Sequence, residues 1–170
     1  MRTLCKRSLN VLGVSLAIAA FPVAHGENAN DMSVVMRDSF ATADAQDIQW
    51  APNKSVPGGM MTLMLYGDPR QPGPYIFRAR MPAGYKLPPH RHPDERVVTV
   101  LEGTYWSGVG ARFDPTTMNE FRPGAFYITR AGVPHYAWAR TEVIIQEQGM
   151  GPVGNPIEYI DPADDPRPRN

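Results

Sequence analysis

From Trp50 onward, prolines and glycines cut the chain into short runs, most of them too short for a three-turn helix. The 18 prolines and 15 glycines are spread along the sequence and not gathered in one tract. Regular punctuation of this kind favours many short strands joined by turns over long helices or disorder. "MMTLMLYG" (60–67) ends at a Gly-Asp-Pro turn, and "PYIFRARMP" (74–82) alternates around Ile76. "RVVTVLEGTYWSGVG" (96–110) reads as a hairpin bent at Glu102-Gly103. "GAFYITRAG", "PHYAWAR" and "EVIIQEQG" supply three further runs at similar spacing. About eight or nine strands and no long amphipathic helix predict an all-β fold of short antiparallel strands, a sandwich or barrel.

The N-terminus is a different kind of text. Arg2, Lys6 and Arg7 precede an almost wholly apolar run, Leu9 to Val23, followed by the small residues of Ala24-His25-Gly26. That order predicts a secretory signal peptide over 1–26, cut after Gly26, with Ala24 as a second candidate. The run of about 15 apolar residues is short of the ~20 needed to span a bilayer, so no stable membrane anchor is expected after cleavage. The expected location is periplasmic or secreted. Residues 27–49 form an unpatterned N-terminal arm, 50–160 the β-domain, and "DPADDPRPRN" (161–170) a flexible, frayed C-terminal tail. A chain of 170 residues suits one domain.

Cleavage changes which chemistries remain. The 17 basic residues lose Arg2, Lys6 and Arg7, leaving 14 against 17 acidic ones. No basic surplus points to nucleic acid as a partner. Cys5 leaves too, and with it any disulfide or thiol nucleophile. No Gly-rich phosphate loop and no hydrolytic-triad spacing is present. Of four histidines, His90, His92 and His135 stay.

In "GYKLPPHRHPDERVVTVLEG", His90 and His92 are two apart, so on a strand both rings face one side. Two imidazoles there can grip a metal if a third ligand arrives from another strand. Alone, the pair reads first as exposed histidines on a Pro-rich loop. Gly84 and Gly103 frame it, and "GAFYITRAGVPH" places Gly124, Gly132 and His135 in a second regular pattern. Together these resemble the two motifs of the cupin superfamily over roughly residues 55–150. The first motif is Gly, five residues, His-x-His, three or four residues, Glu, six residues, Gly. The second is Gly, five residues, Pro-x-Gly, two residues, His, three residues, Asn. The resemblance implies a single-domain cupin jelly-roll barrel with one divalent metal ion, Fe, Mn, Ni or Zn, held by His90, His92 and His135. It also makes a homodimer the default.

Three positions depart from the motifs: Arg130 stands for Pro, Ala139 for Asn, and Arg96 for Glu. The third removes a ligand. One outcome is an open three-histidine site, as in some cupin dioxygenases. Another is a substitute ligand: Gln146 or Gln148, which share one strand face, or Glu95 if a β-bulge near Pro93 turns it inward. A third is that no metal binds. Arg96 is expected at the surface; turned inward, it would bind a substrate anion. Tyr105, Trp106, Tyr136 and Trp138 are read as core or rim packing. Tyr105, Tyr136 and Trp138 are also candidates for a substrate-pocket wall. No catalytic base is singled out, although Tyr105, Tyr127 or Tyr136 would serve if they line the cavity.

The expected function is a metal-dependent enzyme acting on a small organic molecule, with dioxygenase chemistry first and isomerase or lyase chemistry behind it. The alternative is a non-catalytic, small-ligand-binding or sensor cupin of the periplasm. A third reading is a structural scaffold, whose interior would be plugged by large apolar side chains.

Overall fold

A computed structural model describes residues 49–168 and the backbone of 35–37 and 40–42. The expected signal peptide, 1–26, and most of the expected arm, 27–49, lie outside the described residues. In chain order the strands are β1 (Val35–Arg37), β2 (Phe40–Thr42), β3 (Ala51–Pro52), β4 (Met61–Tyr66), β5 (Gly73–Met81), β6 (Lys86–Arg91) and β7 (Arg96–Glu102). Then come β8 (Tyr105–Val109), β9 (Asn119–Phe121), β10 (Phe126–Thr129), β11 (His135–Ala139), β12 (Val143–Gly151) and β13 (Glu158–Tyr159).

Among the described residues β1 pairs with β2 alone. The others form two antiparallel sheets, ordered β10-β7-β12-β5-β4-β3 and β13-β6-β11-β8-β9. The all-β expectation holds, with one correction. The hydrogen-bonded ladders do not close into a barrel; they leave two open sheets that share a core.

Period-2 alternation sets the inward face of each strand. Tyr75, Ala79 and Met81 point inward from β5, so its buried phase is the odd one and Ile76 lies on the other side. Val98 and Val100 come from β7, Val143 and Ile145 from β12, Ala137 and Ala139 from β11. Val100 and Val143 are fully buried. Each contributes about 1.5–3 kcal/mol of apolar burial.

The expected hairpin over 96–110 is not one. β7 and β8 lie in different sheets, and the chain crosses between them at Gly103. There φ is +76°, and an added Cβ would sit 2.0 Å from the Glu142 carbonyl oxygen. Only glycine makes that corner. The C-terminal segment, expected to fray, is tied down as far as it is described. Asp161 caps a 3₁₀ turn, Pro162–Asp164. Arg167 donates to Asp165, to Asn155 and to the Ile157 carbonyl.

The segment that positions the histidines contains a bulge. His135 pairs with His90 and Ala137 with Leu87, so β11 advances two residues while β6 advances three. The extra residue falls at Pro88-Pro89, where neither residue has an N–H to lose from the ladder. The shift lets Leu87 and His90 both face the interior.

Candidate metal centre

His90 and His92 leave the end of β6 on its inward side, and His135 begins β11 directly opposite His90. The three rings meet with centroids 4.2 Å (His90–His135), 4.9 Å (His90–His92) and 5.1 Å (His92–His135) apart. One nitrogen from each lies within 4.8 Å of the others. All three side chains are buried.

Each ring is fixed by its other nitrogen. Nδ1 of His90 lies 2.7 Å from the Pro88 carbonyl, Nδ1 of His92 2.6 Å from that of Pro156, and Nδ1 of His135 3.0 Å from that of Val133. A carbonyl only accepts, so each Nδ1 carries the proton and each Nε2 keeps its lone pair. Backbone acceptors of this kind select the tautomer and aim a metal-ligating imidazole. Burial also favours the neutral form. It brings His90 down to about 3, with His135 adding to the shift. His92 is lowered by burial and then by Arg96, and His135 by burial first.

Arg96 corrects the surface expectation. It is 5% exposed and faces inward, in phase with His90 and His92. It therefore stands where the motif carboxylate would, with a cation in its place. Its Nε and Nη2 donate to Asp94, Nη2 also to the Pro156 carbonyl at 2.7 Å, and Nη1 to Glu147 at 3.4 Å. Its guanidinium lies 5.9 Å from the centre of the Tyr75 ring, and the Tyr75 hydroxyl donates to Asp94. Its pKa is raised: burial opposes the charge, but Glu147, Tyr75 and Asp94 together outweigh it. The fork is already held by two carboxylates, which leaves it poorly placed to take a substrate anion.

The substitute ligands turn elsewhere. Glu95 is exposed and lies 3.5 Å from Arg130 at the surface. The bulge that would have turned it inward sits upstream, at Pro88-Pro89. Gln146 and Gln148 are on the far face of β12; Gln146 accepts from Arg78, and Gln148 is exposed. The inward residue between them is Glu147, which sequence reasoning missed. Its signal was present, since Val143, Ile145 and Glu147 share one phase. Ile144 blurred it by making both phases look apolar. Asp94, even-spaced from His92, was missed likewise.

A cavity of about 180 Å³ opens beside the histidines, bordered by Arg96, Glu147, Tyr75, Phe77, Tyr105 and Tyr127 among others. Tyr105 and Tyr127 stack at 6.3 Å. Tyr136 and Trp138 are outside this cavity. Tyr136 is buried beneath Phe113, its hydroxyl bonded to Thr117 and the Asp114 carbonyl. Trp138 lies between the Lys86 and Arg140 cations on the outer side of its sheet.

Comparison with known proteins agrees with this architecture. Residues 77–145 match the family model described as "Cupin domain". No curated protein matches the sequence. Among solved structures, the polyketide cyclase RemF of Streptomyces resistomycificus superposes with a TM-score of 0.62 at 16% identity, over 75% of this chain and 89% of that one. An RmlC-like cupin of Shewanella frigidimarina gives 0.53 at 17%, over 68% and 94%. The DMSP lyase DddQ of Ruegeria pomeroyi gives 0.54 at 18%, over 67% and 61%. At these identities the likeness is one of fold.

Proposed function

Because this chain carries a cupin domain, we propose that it is a metal-dependent enzyme acting on a small organic molecule, with oxygenation as the reaction class. The observation that carries the reading is the convergence of three neutral imidazoles, one nitrogen of each within 4.8 Å of the others, with every Nδ1 held by a backbone carbonyl. Three neutral imidazoles suit Fe, Mn, Ni or Zn, and suit calcium or magnesium poorly.

His90, His92 and His135 would hold the ion. A three-protein-ligand site leaves coordination positions open, which is the mark of a catalytic and not a structural centre. The ion, when bound, supplies Lewis acidity and, if it is iron, a place for dioxygen and substrate to meet. The chain's own residues do the rest. Tyr75, Phe77, Tyr105 and Tyr127 give the cavity an aromatic wall that excludes water. Arg96 keeps Asp94 and Glu147 drawn to its own side of the cavity. The interior is not filled by large apolar side chains, which favours a ligand-handling role over a scaffold. A location outside the cytoplasm and a homodimeric state belong to the same proposal. They rest on residues 1–26 and on the cupin resemblance.

The test is turnover by the mature protein loaded separately with Fe(II), Mn(II), Ni(II) and Zn(II), offered a panel of small aromatic, enolic and keto compounds. Oxygen consumption that requires Fe(II) and disappears in His135→Ala supports oxygenation. Anaerobic turnover with Zn(II) or Ni(II) assigns lyase or isomerase chemistry instead. Binding without turnover under every metal makes the protein a small-ligand-binding cupin.

A further inference from the structure

Glu147 is a carboxylate placed in the interior with most of its bonding capacity unused. It lines the cavity that the three histidines line, and its side chain is 15% exposed. An ionised carboxylate offers about four acceptor positions. Among the described residues, Glu147 has one hydrogen bond, from Arg96 at a long 3.4 Å. Asp94 takes the shorter bonds of that guanidinium, at 3.1 Å. Buried polar groups are as a rule satisfied. Glu147 is not fully enclosed, and its free acceptor positions open on the cavity, where a donor that enters from outside can reach them.

The shape of the space narrows the donor's carrier. The volume of about 180 Å³ is close to the ~150 Å³ of an apolar protein cavity that takes up benzene. One substituted six-membered ring fits it. Tyr75 and Phe77 from one sheet stack at 6.2 Å, and Tyr105 with Tyr127 at 6.3 Å, giving flat apolar walls. Two carboxylates, Asp94 and Glu147, already surround Arg96, so a ligand carboxylate directed at this corner would meet like charge.

Resting on the reading of the chain as a metal-dependent enzyme, we infer that Glu147 binds and deprotonates the substrate, a single-ring molecule carrying an ionisable hydroxyl. The substrate O–H bond breaks and its proton passes to a Glu147 carboxylate oxygen. The electron pair stays on the substrate oxygen as an oxyanion. Nothing is oxidised or reduced in this step. The direction of Glu147's own titration agrees: burial raises its pKa, with Arg96 opposing, which makes it a better proton acceptor than a surface carboxylate.

The test uses the full mature chain loaded with Zn(II), which is redox-silent, and catechol as probe, with its dimethyl ether, veratrole, as control. Binding is followed by calorimetry and by the ultraviolet phenolate band. Catechol is expected to bind with a phenolate band, and veratrole about tenfold or more weaker, the loss typical of a bond to a charged group. Glu147→Gln should keep its zinc, lose the band and bind catechol about tenfold weaker. Equal catechol affinity in wild type and Glu147→Gln, or no catechol binding by zinc-loaded wild type, overturns the inference and leaves the metal reading standing. Wild type that takes up none of Zn(II), Mn(II), Ni(II) and Fe(II) overturns the metal reading itself; if zinc alone is refused, the same titration on whichever of these ions is held decides the inference. If Glu147→Gln does not fold, Glu147→Asp decides: its shorter reach should weaken catechol and spare zinc, and unchanged catechol affinity overturns the inference.

Discussion

His92 and Arg96 share one acceptor, the Pro156 carbonyl, at 2.6 Å from Nδ1 of the histidine and 2.7 Å from Nη2 of the arginine. One peptide oxygen from the C-terminal segment thus aims a candidate ligand and anchors the cation beside it. The buried charges and the candidate metal centre are one construction. Disturbing either should be felt at the other.

Arg96→Leu removes the cation that, among the described residues, Asp94 and Glu147 share in the interior. Breaking a buried ion pair from one side costs about 3–5 kcal/mol, because the remaining charge is left unpaired. Denaturant unfolding of the metal-free protein should show a loss of that size. Arg96→Lys keeps the charge but not the fork, and should fall between wild type and leucine.

Gly149 faces the same cluster from β12. A Cβ there would lie 2.4 Å from the Tyr75 hydroxyl oxygen and 2.6 Å from an Asp94 oxygen. Gly149→Ala must therefore push Tyr75 and Asp94 aside. A loss of about 1–3 kcal/mol is expected, the usual cost of overpacking. It should appear as a lower thermal midpoint.

Acid should destabilise the metal-free protein early. Burial depresses the pKa of all three histidines, His90 to about 3. A histidine whose folded pKa is lowered contributes stability that is fully present above its unfolded value of about 6.5 and is lost as pH falls toward the folded value. Each contributes a slope of up to about 1.4 kcal/mol per pH unit in that window. Urea midpoints measured between pH 8 and pH 4 should fall steadily below about 6.5. The fall should be shallower in His90→Phe.

The rejected ligands give a negative control. Glu95→Ala, Gln146→Ala and Gln148→Ala alter side chains that face away from the cavity. Metal content should be unchanged, and stability should stay within about 0.5 kcal/mol of wild type, as for most surface substitutions.

The strands were legible in the sequence because prolines and glycines mark their ends, and the histidine triad because so few histidines remain after residue 26. Which sheet each strand joins was not. The alternation in 96–110 is the same for a hairpin as for a strand that crosses to the opposite sheet at Gly103. The phase of Arg96 was misjudged because a bulge was weighed near Pro93, whereas the register shift lies upstream of the histidines, at Pro88-Pro89, and leaves Arg96 in phase with His90 and His92. Glu147 was hidden by Ile144, whose apolar side chain on the outer phase made the inner phase hard to choose. Each miss concerns register, which depends on pairing partners far away in the chain.

The proposed function requires that His90, His92 and His135 bind one divalent metal without a fourth protein ligand. Elemental analysis of the purified mature protein, after exposure to Fe, Mn, Ni and Zn in turn and dialysis, tests it most directly. About one ion per chain is expected for at least one metal, nearly none in His135→Ala, and no loss in a Glu95→Ala/Gln146→Ala/Gln148→Ala triple variant. Metal retained by His135→Ala at the wild-type level, or absent from the wild type under all four, would contradict it.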